Sequence, residues 1–181
     1  MGFNPEGGTK NFNFATMESH SDLHTYMTMS RGFQRFRDGF FLRAESFYNV
    51  ASNIDELDSE PRGGAPIISS YGGVSLHKQS HGESFMALVE NRFYGNGLYI
   101  LDEPEAALSP MRQMRLMYLI KELEKKNSQF IISTHSPFLL SLKGANIYNI
   151  DETPPAERKW TELDCVKVYY DFFAEQQDKF Q

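Results

Sequence analysis

The stretch that most constrains this chain is Gly97 to Pro110: Gly-Leu-Tyr-Ile-Leu-Asp-Glu-Pro-Glu-Ala-Ala-Leu-Ser-Pro. Leu98 to Leu101 run apolar without alternation and stop at Asp102 and Glu103. An unbroken apolar run suits a strand buried on both faces, in the middle of a parallel sheet. Pro104 has no amide hydrogen to give a ladder, so the strand ends before it. Two carboxylates then stand side by side at the carboxyl end of a buried strand, the edge where open α/β sheets place ligands. Such a pair suits phosphoryl transfer, with Asp102 holding the Mg²⁺ that bridges nucleotide phosphates and Glu103 orienting or deprotonating the attacking water. A strand that merely ends in solvated acids has the same letters, so the rest of the chain must separate the two readings.

Downstream, Ser109 and Pro110 are N-cap and first-turn residues for a helix reaching about Lys126. Met114, Met117, Ile120 and Leu123 repeat on it at helical spacing and are expected in the core. Gln129 to Ser133 reads as a second buried strand, which closes a parallel, right-handed β-α-β unit. It leads into Thr134-His135-Ser136-Pro137, which puts His135 at the sheet edge expected for the acids, and then into a short helix from Phe138. Ala145 to Ile150 reads as a third short strand and Asp151 to Lys159 as a loop. From Asp164 to Phe173 a helix is expected, with Val166, Val168, Tyr169, Phe172 and Phe173 as its packing face.

Upstream, Phe40-Phe41-Leu42 predicts a strand, and Phe47, Val50, Ile54 and Leu57 a helix. Glu45 lies at their junction, a ligand-edge position or an ordinary first-turn acid. Residues 58 to 73 read as a surface loop. Ser80 with Glu83 is a capping box that opens a helix through Met86, Leu88, Val89 and Phe93. The same geometry offers amide hydrogens to an anion, and Gly82 would let a phosphate approach the backbone. His20 and His24, interleaved with Glu18 and Asp22, are four apart but read as surface. Asn11 to Phe14 alternates as a short strand does. Gly2 to Thr9 has the glycine spacing of a phosphate loop but carries Gly8 where the lysine must be, so a turn is expected.

The 181 residues suit one domain, and 40% hydrophobic with 23% charged residues is a globular composition. A net charge of −6 does not indicate a nucleic-acid surface. No apolar run is long enough to span a membrane, the N-terminus lacks a signal-peptide pattern, and Cys165 is the lone cysteine; a reducing cytoplasm is expected.

Ser80-His81-Gly82-Glu83, Leu98 to Glu103, Ala106 to Ser109 and His135, in that order, resemble the C-terminal part of a stand-alone ABC-type ATPase, often filed as an AAA-family predicted ATPase. Ser80, Gly82 and Glu83 match its signature motif, with His81 in place of the usual glycine and Glu83 in place of glutamine. Asp102 and Glu103 match the Walker B aspartate and catalytic glutamate. Ala106 to Ser109 matches the D-loop, with Ser109 replacing aspartate, and His135 matches the switch histidine. Glu45 falls near the Q-loop position. Gly39 to Phe47 also looks like these proteins.

The resemblance implies a P-loop NTPase-like α/β fold, a mostly parallel sheet flanked by helices, with the N-terminal strand and phosphate loop absent. One partial ATPase domain is expected: an arm over 1–78, the motif core over 79–153, and a C-terminal loop and helix over 154–181. It also implies ATP and Mg²⁺ as cofactors, and a composite site with a second copy or a partner chain carrying the phosphate loop. Asp102 would serve Mg²⁺, Glu103 the water and His135 the γ-phosphate, while Ser80 would reach the nucleotide of a partner. The chain alone is expected to bind ATP weakly or not at all. Two alternatives stand beside this: a non-enzymatic half that lends its signature helix to another chain, and a metal-dependent nuclease using Asp102, Glu103 and Glu105.

Overall fold

Three apolar segments line up as a parallel sheet in the order β1-β2-β3, with β1 at Asp38–Arg43, β2 at Gly97–Asp102 and β3 at Gln129–Ser133. The structure is a computed structural model and describes residues 3–5, 7–9, 23–28, 30, 32, 35–59 and 66–180. His20, Glu18, Asp22, Gly2 and the Asn11 to Phe14 segment lie outside the described residues. A short helix α1 (Leu23–Tyr26) precedes the sheet; α2 (Phe47–Ser59), α3 (His81–Arg92) and α4 (Pro110–Glu124) accompany it. The fold is α/β, a parallel sheet flanked by helices. The chain divides into two compact units, Met1–Ser133 and Thr134–Gln181.

In the first unit the register sets Phe40 beside Tyr99 beside Phe130, and Leu42 beside Leu101 beside Ile132. Phe40, Leu42, Tyr99 and Leu101 are fully buried. Phe93, which ends α3, stacks on Tyr99 with ring centroids 4.0 Å apart and lies 5.8 Å from Phe40, so an aromatic seam glues that face to the helix. Phe85, Leu88 and Val89 of α3 and Val50 and Ile54 of α2 complete this core. The opposite face, carrying Phe41, Ile100 and Ile131, is only partly covered, with Ile131 exposed. The expectation that both faces of the strands are buried is therefore corrected: β2 alternates between buried and half-buried, and β3 is largely exposed. Continuous apolar letters permit burial on both sides, but only packed neighbours produce it. On the β1 edge, Gly8 and Phe41 exchange both backbone hydrogen bonds, at 2.7 and 3.0 Å. The expected turn at the start is present as Gly7 N–H donating to the Asn4 carbonyl at 3.0 Å.

Tyr99 also explains the glycine at position 97. Its ring folds back over Gly97, where a Cβ would stand 2.4 Å from the ring, so no larger residue fits there. The Tyr99 hydroxyl accepts from Tyr94 N–H at 2.6 Å and lies 2.8 Å from the Tyr94 carbonyl and 3.0 Å from Asp38 Oδ2. Asp38 in turn takes both terminal nitrogens of Arg92, at 2.8 and 2.9 Å. Burial pushes the Asp38 carboxyl up, but this guanidinium and the phenol outweigh burial and hold it below the ordinary carboxylate range.

Helix α4 turns inward Gln113, Leu116, Ile120 and Leu123, not the methionine stripe. Met114 is exposed and Met117 half-buried, so the core role expected of them is corrected. Gln113 can take the inner seat because its side-chain amide donates to the Leu108 carbonyl at 2.9 Å, which satisfies a buried polar group. The segment read as a loop before residue 73 holds a 3₁₀ turn at Ile67–Tyr71, with Tyr71 buried.

In the second unit, α5 (Pro137–Leu140) is capped by the Ser136 hydroxyl, which accepts from Leu139 N–H. The Trp160 indole donates to the Pro137 carbonyl at 2.9 Å. The expected third strand is short, β4 (Tyr148–Asn149), and pairs antiparallel with β5 (Ala156–Glu157) rather than joining the parallel sheet. The residues between them, read as a plain loop, are a hairpin held by Arg158 against Glu152. Helix α6 (Asp164–Glu175) buries Val166 alone. Val168, Tyr169, Phe172 and Phe173 are exposed, so its expected packing face is also corrected.

Candidate functional site

The acids sit where the strand stops. Asp102 is the last residue of β2, level with Arg43 on β1 and Ser133 on β3. Glu103 N–H still reaches across to the Ser133 carbonyl at 2.9 Å, continuing the ladder by one bond. The chain then reverses through Glu103, whose φ of 47° and ψ of 50° are left-handed, and enters a 3₁₀ turn at Pro104–Ala107. A residue with a Cβ in that region carries roughly 1 kcal/mol of strain or more, and such strain concentrates where a side chain must be aimed. Asp102 Oδ2 lies 3.2 Å from Arg43 Nε, and Arg43 Nη2 lies 3.1 Å from Glu45 Oε2. Neither Arg43 nor this pairing is signalled by the acidic motif; both follow from the β1–β2 register.

A second cluster forms at the start of α3. Ser80 is the N-cap, and the capping box with Glu83 is made. Glu83 Oε2 accepts from Ser80 N–H at 3.1 Å and from the Ser80 hydroxyl at 2.7 Å, while Oε1 accepts from Arg112 Nη2 at 3.2 Å. The Ser80 hydroxyl, with Arg112 adding to it, holds the Glu83 carboxyl below the ordinary range. Gly82 is packed from its side-chain direction: a Cβ there would stand 2.5 Å from Arg112 Nη1 and 2.8 Å from the Ala107 carbonyl oxygen. Glycine at this position thus lets α3 press against the Ala106 to Ser109 segment and against α4. Ser109 caps α4 through its carbonyl, which accepts from Gln113 N–H at 2.9 Å, while its side chain makes no cap bond.

The first unit therefore joins Ser80, Gly82 and Glu83 to Ala107 and Arg112, and joins Asp102 to Arg43 and Glu45. His135 belongs to the second unit, where it is exposed and directly precedes the Ser136 cap. Among the described residues no three His, Cys, Asp or Glu side chains stand together as a metal cluster. The nuclease alternative, which needs Asp102, Glu103 and Glu105 as joint ligands, lacks that grouping. A lone carboxylate suits Mg²⁺ differently, because that ion commonly takes one or two protein oxygens and completes its shell with phosphates and water. Among the described residues no helix is long and apolar enough to cross a membrane.

The family comparison falls on the same region. Residues 74–141 match the family described as "AAA domain, putative AbiEii toxin, Type IV TA system". A Haemophilus influenzae protein described as an uncharacterized ABC transporter ATP-binding protein is 36% identical over 77 residues, which is 42% of this chain. The matched stretch spans 29% of that protein's length. No solved structure matches the chain significantly. The capped helix, both acids and the segment between them lie inside the stretch, residues 74–141, that is similar to this AAA-domain family.

Proposed function

We propose that the chain takes part in ATP binding and hydrolysis. The observation that carries the reading is Glu103, held left-handed immediately after a strand-ending aspartate, at the carboxyl edge of a parallel sheet. In this reading Asp102 holds Mg²⁺, which when bound supplies charge neutralisation across the β- and γ-phosphates. Glu103 accepts a proton from the attacking water or orients it. His135 contacts the γ-phosphate. Ser80, exposed at the head of α3, donates to the nucleotide of a second protomer by turning its hydroxyl away from Glu83, and Gly82, Glu83 and Ser109 shape that contact. The ATP-binding description of the Haemophilus relative supports the choice of nucleotide.

The 181 residues hold no Gly-rich loop ending in Lys-Ser or Lys-Thr, so the phosphate cradle is assigned to another segment or chain. The assembly is a homodimer or a pairing with a chain that carries such a loop. The test is phosphate release by this chain together with the polypeptide that supplies its loop. Glu103→Gln is expected to lower the rate about 100-fold or more while leaving thermal unfolding in place. A rate that survives this substitution overturns the reading.

A further inference from the structure

Arg43 closes β1 as Asp102 closes β2, and the parallel register sets the two residues level. The backbone beneath them is fixed, with Ala44 N–H donating to the Asp102 carbonyl at 3.2 Å. The guanidinium has no such bond to the aspartate. Its Nε is buried and 3.2 Å from Asp102 Oδ2, yet makes no hydrogen bond, so charge alone draws the two together. Its Nη2 reaches Glu45, whose side chain is 72% exposed, while those of Arg43 and Asp102 are 40% and 31% exposed. A partly wet ion pair without a directed bond is weakly held and can be exchanged.

We infer that Arg43 is the resident counter-cation of Asp102: it neutralises that carboxylate in the metal-free protein and withdraws toward Glu45 when a divalent cation binds. The inference rests on Asp102 being the metal ligand proposed above. A cation arriving at Asp102 must then displace a guanidinium, which sets the affinity for bare metal low. Arg43 thereby acts through Asp102 as a positioning residue.

The test uses the 181-residue chain and Mn²⁺ alone, with free ion measured by electron paramagnetic resonance. Arg43→Met and Arg43→Gln are each expected to bind Mn²⁺ about five- to tenfold more tightly than the wild type, the size expected for removing one partly screened charge. Adding Asp102→Asn to either variant is expected to abolish the gain. Affinity equal in the wild type and both Arg43 variants overturns the inference; if Asp102→Asn alone still weakens binding, the assignment of Asp102 to metal stands regardless. A gain that persists with Asp102→Asn overturns both.

Discussion

At the amino end of the sheet Asp38 meets Arg92 through two nitrogens, at 2.8 and 2.9 Å; at the carboxyl end Asp102 meets Arg43 through one, at 3.2 Å and without a hydrogen bond. Both are arginine–aspartate pairs between sequence-distant elements of the same unit. The first is knitted into its surroundings: Tyr99 joins Asp38, and the Ser128 hydroxyl, which accepts from Gly97 N–H, donates to the Tyr94 carbonyl. Burial pushes the Tyr99 phenol well above the ordinary tyrosine range, so it stays a donor. The second pair faces solvent and a second carboxylate, beside a residue with left-handed backbone. A fully bonded pair fixes structure, because removing either partner leaves the other unpaired in a partly buried site. A pair with a vacant donor has little holding it and leaves the carboxylate open to exchange.

The largest effect on stability should come from breaking the amino-end pair. Arg92→Met leaves Asp38 half-buried with no guanidinium and should cost about 2–4 kcal/mol, read from denaturant unfolding. The pH dependence sharpens this. Asp38 is held below the ordinary carboxylate range in the folded protein, so folding favours its ionised form. That contribution is complete above the unfolded value, near pH 4, and drains away as pH falls through the lowered folded value. Asp38→Asn should flatten the loss of stability below about pH 4, and an unchanged acid limb in that variant would count against the pairing.

The carboxyl-end motif was legible in the sequence because its signals are local. Asp102, Glu103 and Pro104 end the strand by their own chemistry, and Ser80 with Glu83 announces a helix start within four residues. Exposure was not legible in the same way. Ile131 and Phe172 carry the letters of core residues, but whether they are covered depends on what packs over them from far along the chain. Met114 and Met117 fit helical spacing, yet the helix is rotated so that Gln113 faces in, a choice that depends on the Leu108 carbonyl waiting for its amide. Neither arginine pair could be read from spacing, since each is created by strand register or by a helix end laid against a strand.

Gly82 tests whether helix α3 is positioned by packing as tightly as the amino-end network. Gly82→Ala gains helix propensity but drives a Cβ to 2.8 Å from the Ala107 carbonyl, a backbone atom that cannot swing aside as Arg112 can. A net loss of about 1–2 kcal/mol is expected. An alanine variant as stable as the wild type would show that α3 stands off from the Ala106 to Ser109 segment.

The smallest effect is expected at the carboxyl end, and it is the one that separates the two pairs most sharply. Arg43→Met removes a guanidinium whose Nε has no hydrogen bond and whose remaining contact is with Glu45, largely exposed. The methionine keeps most of the aliphatic stem, so packing beneath is retained. What is lost is one partly screened attraction to Asp102, offset by release of a buried donor that had no partner, and the balance should lie within about 0.5 kcal/mol of zero. Arg92→Met and Arg43→Met are thus the same substitution at the two ends of one sheet, with expected costs several-fold apart. If denaturant midpoints place the two variants together, the ends are equally structural, and the exchangeable character assigned to the Arg43–Asp102 pair has no basis.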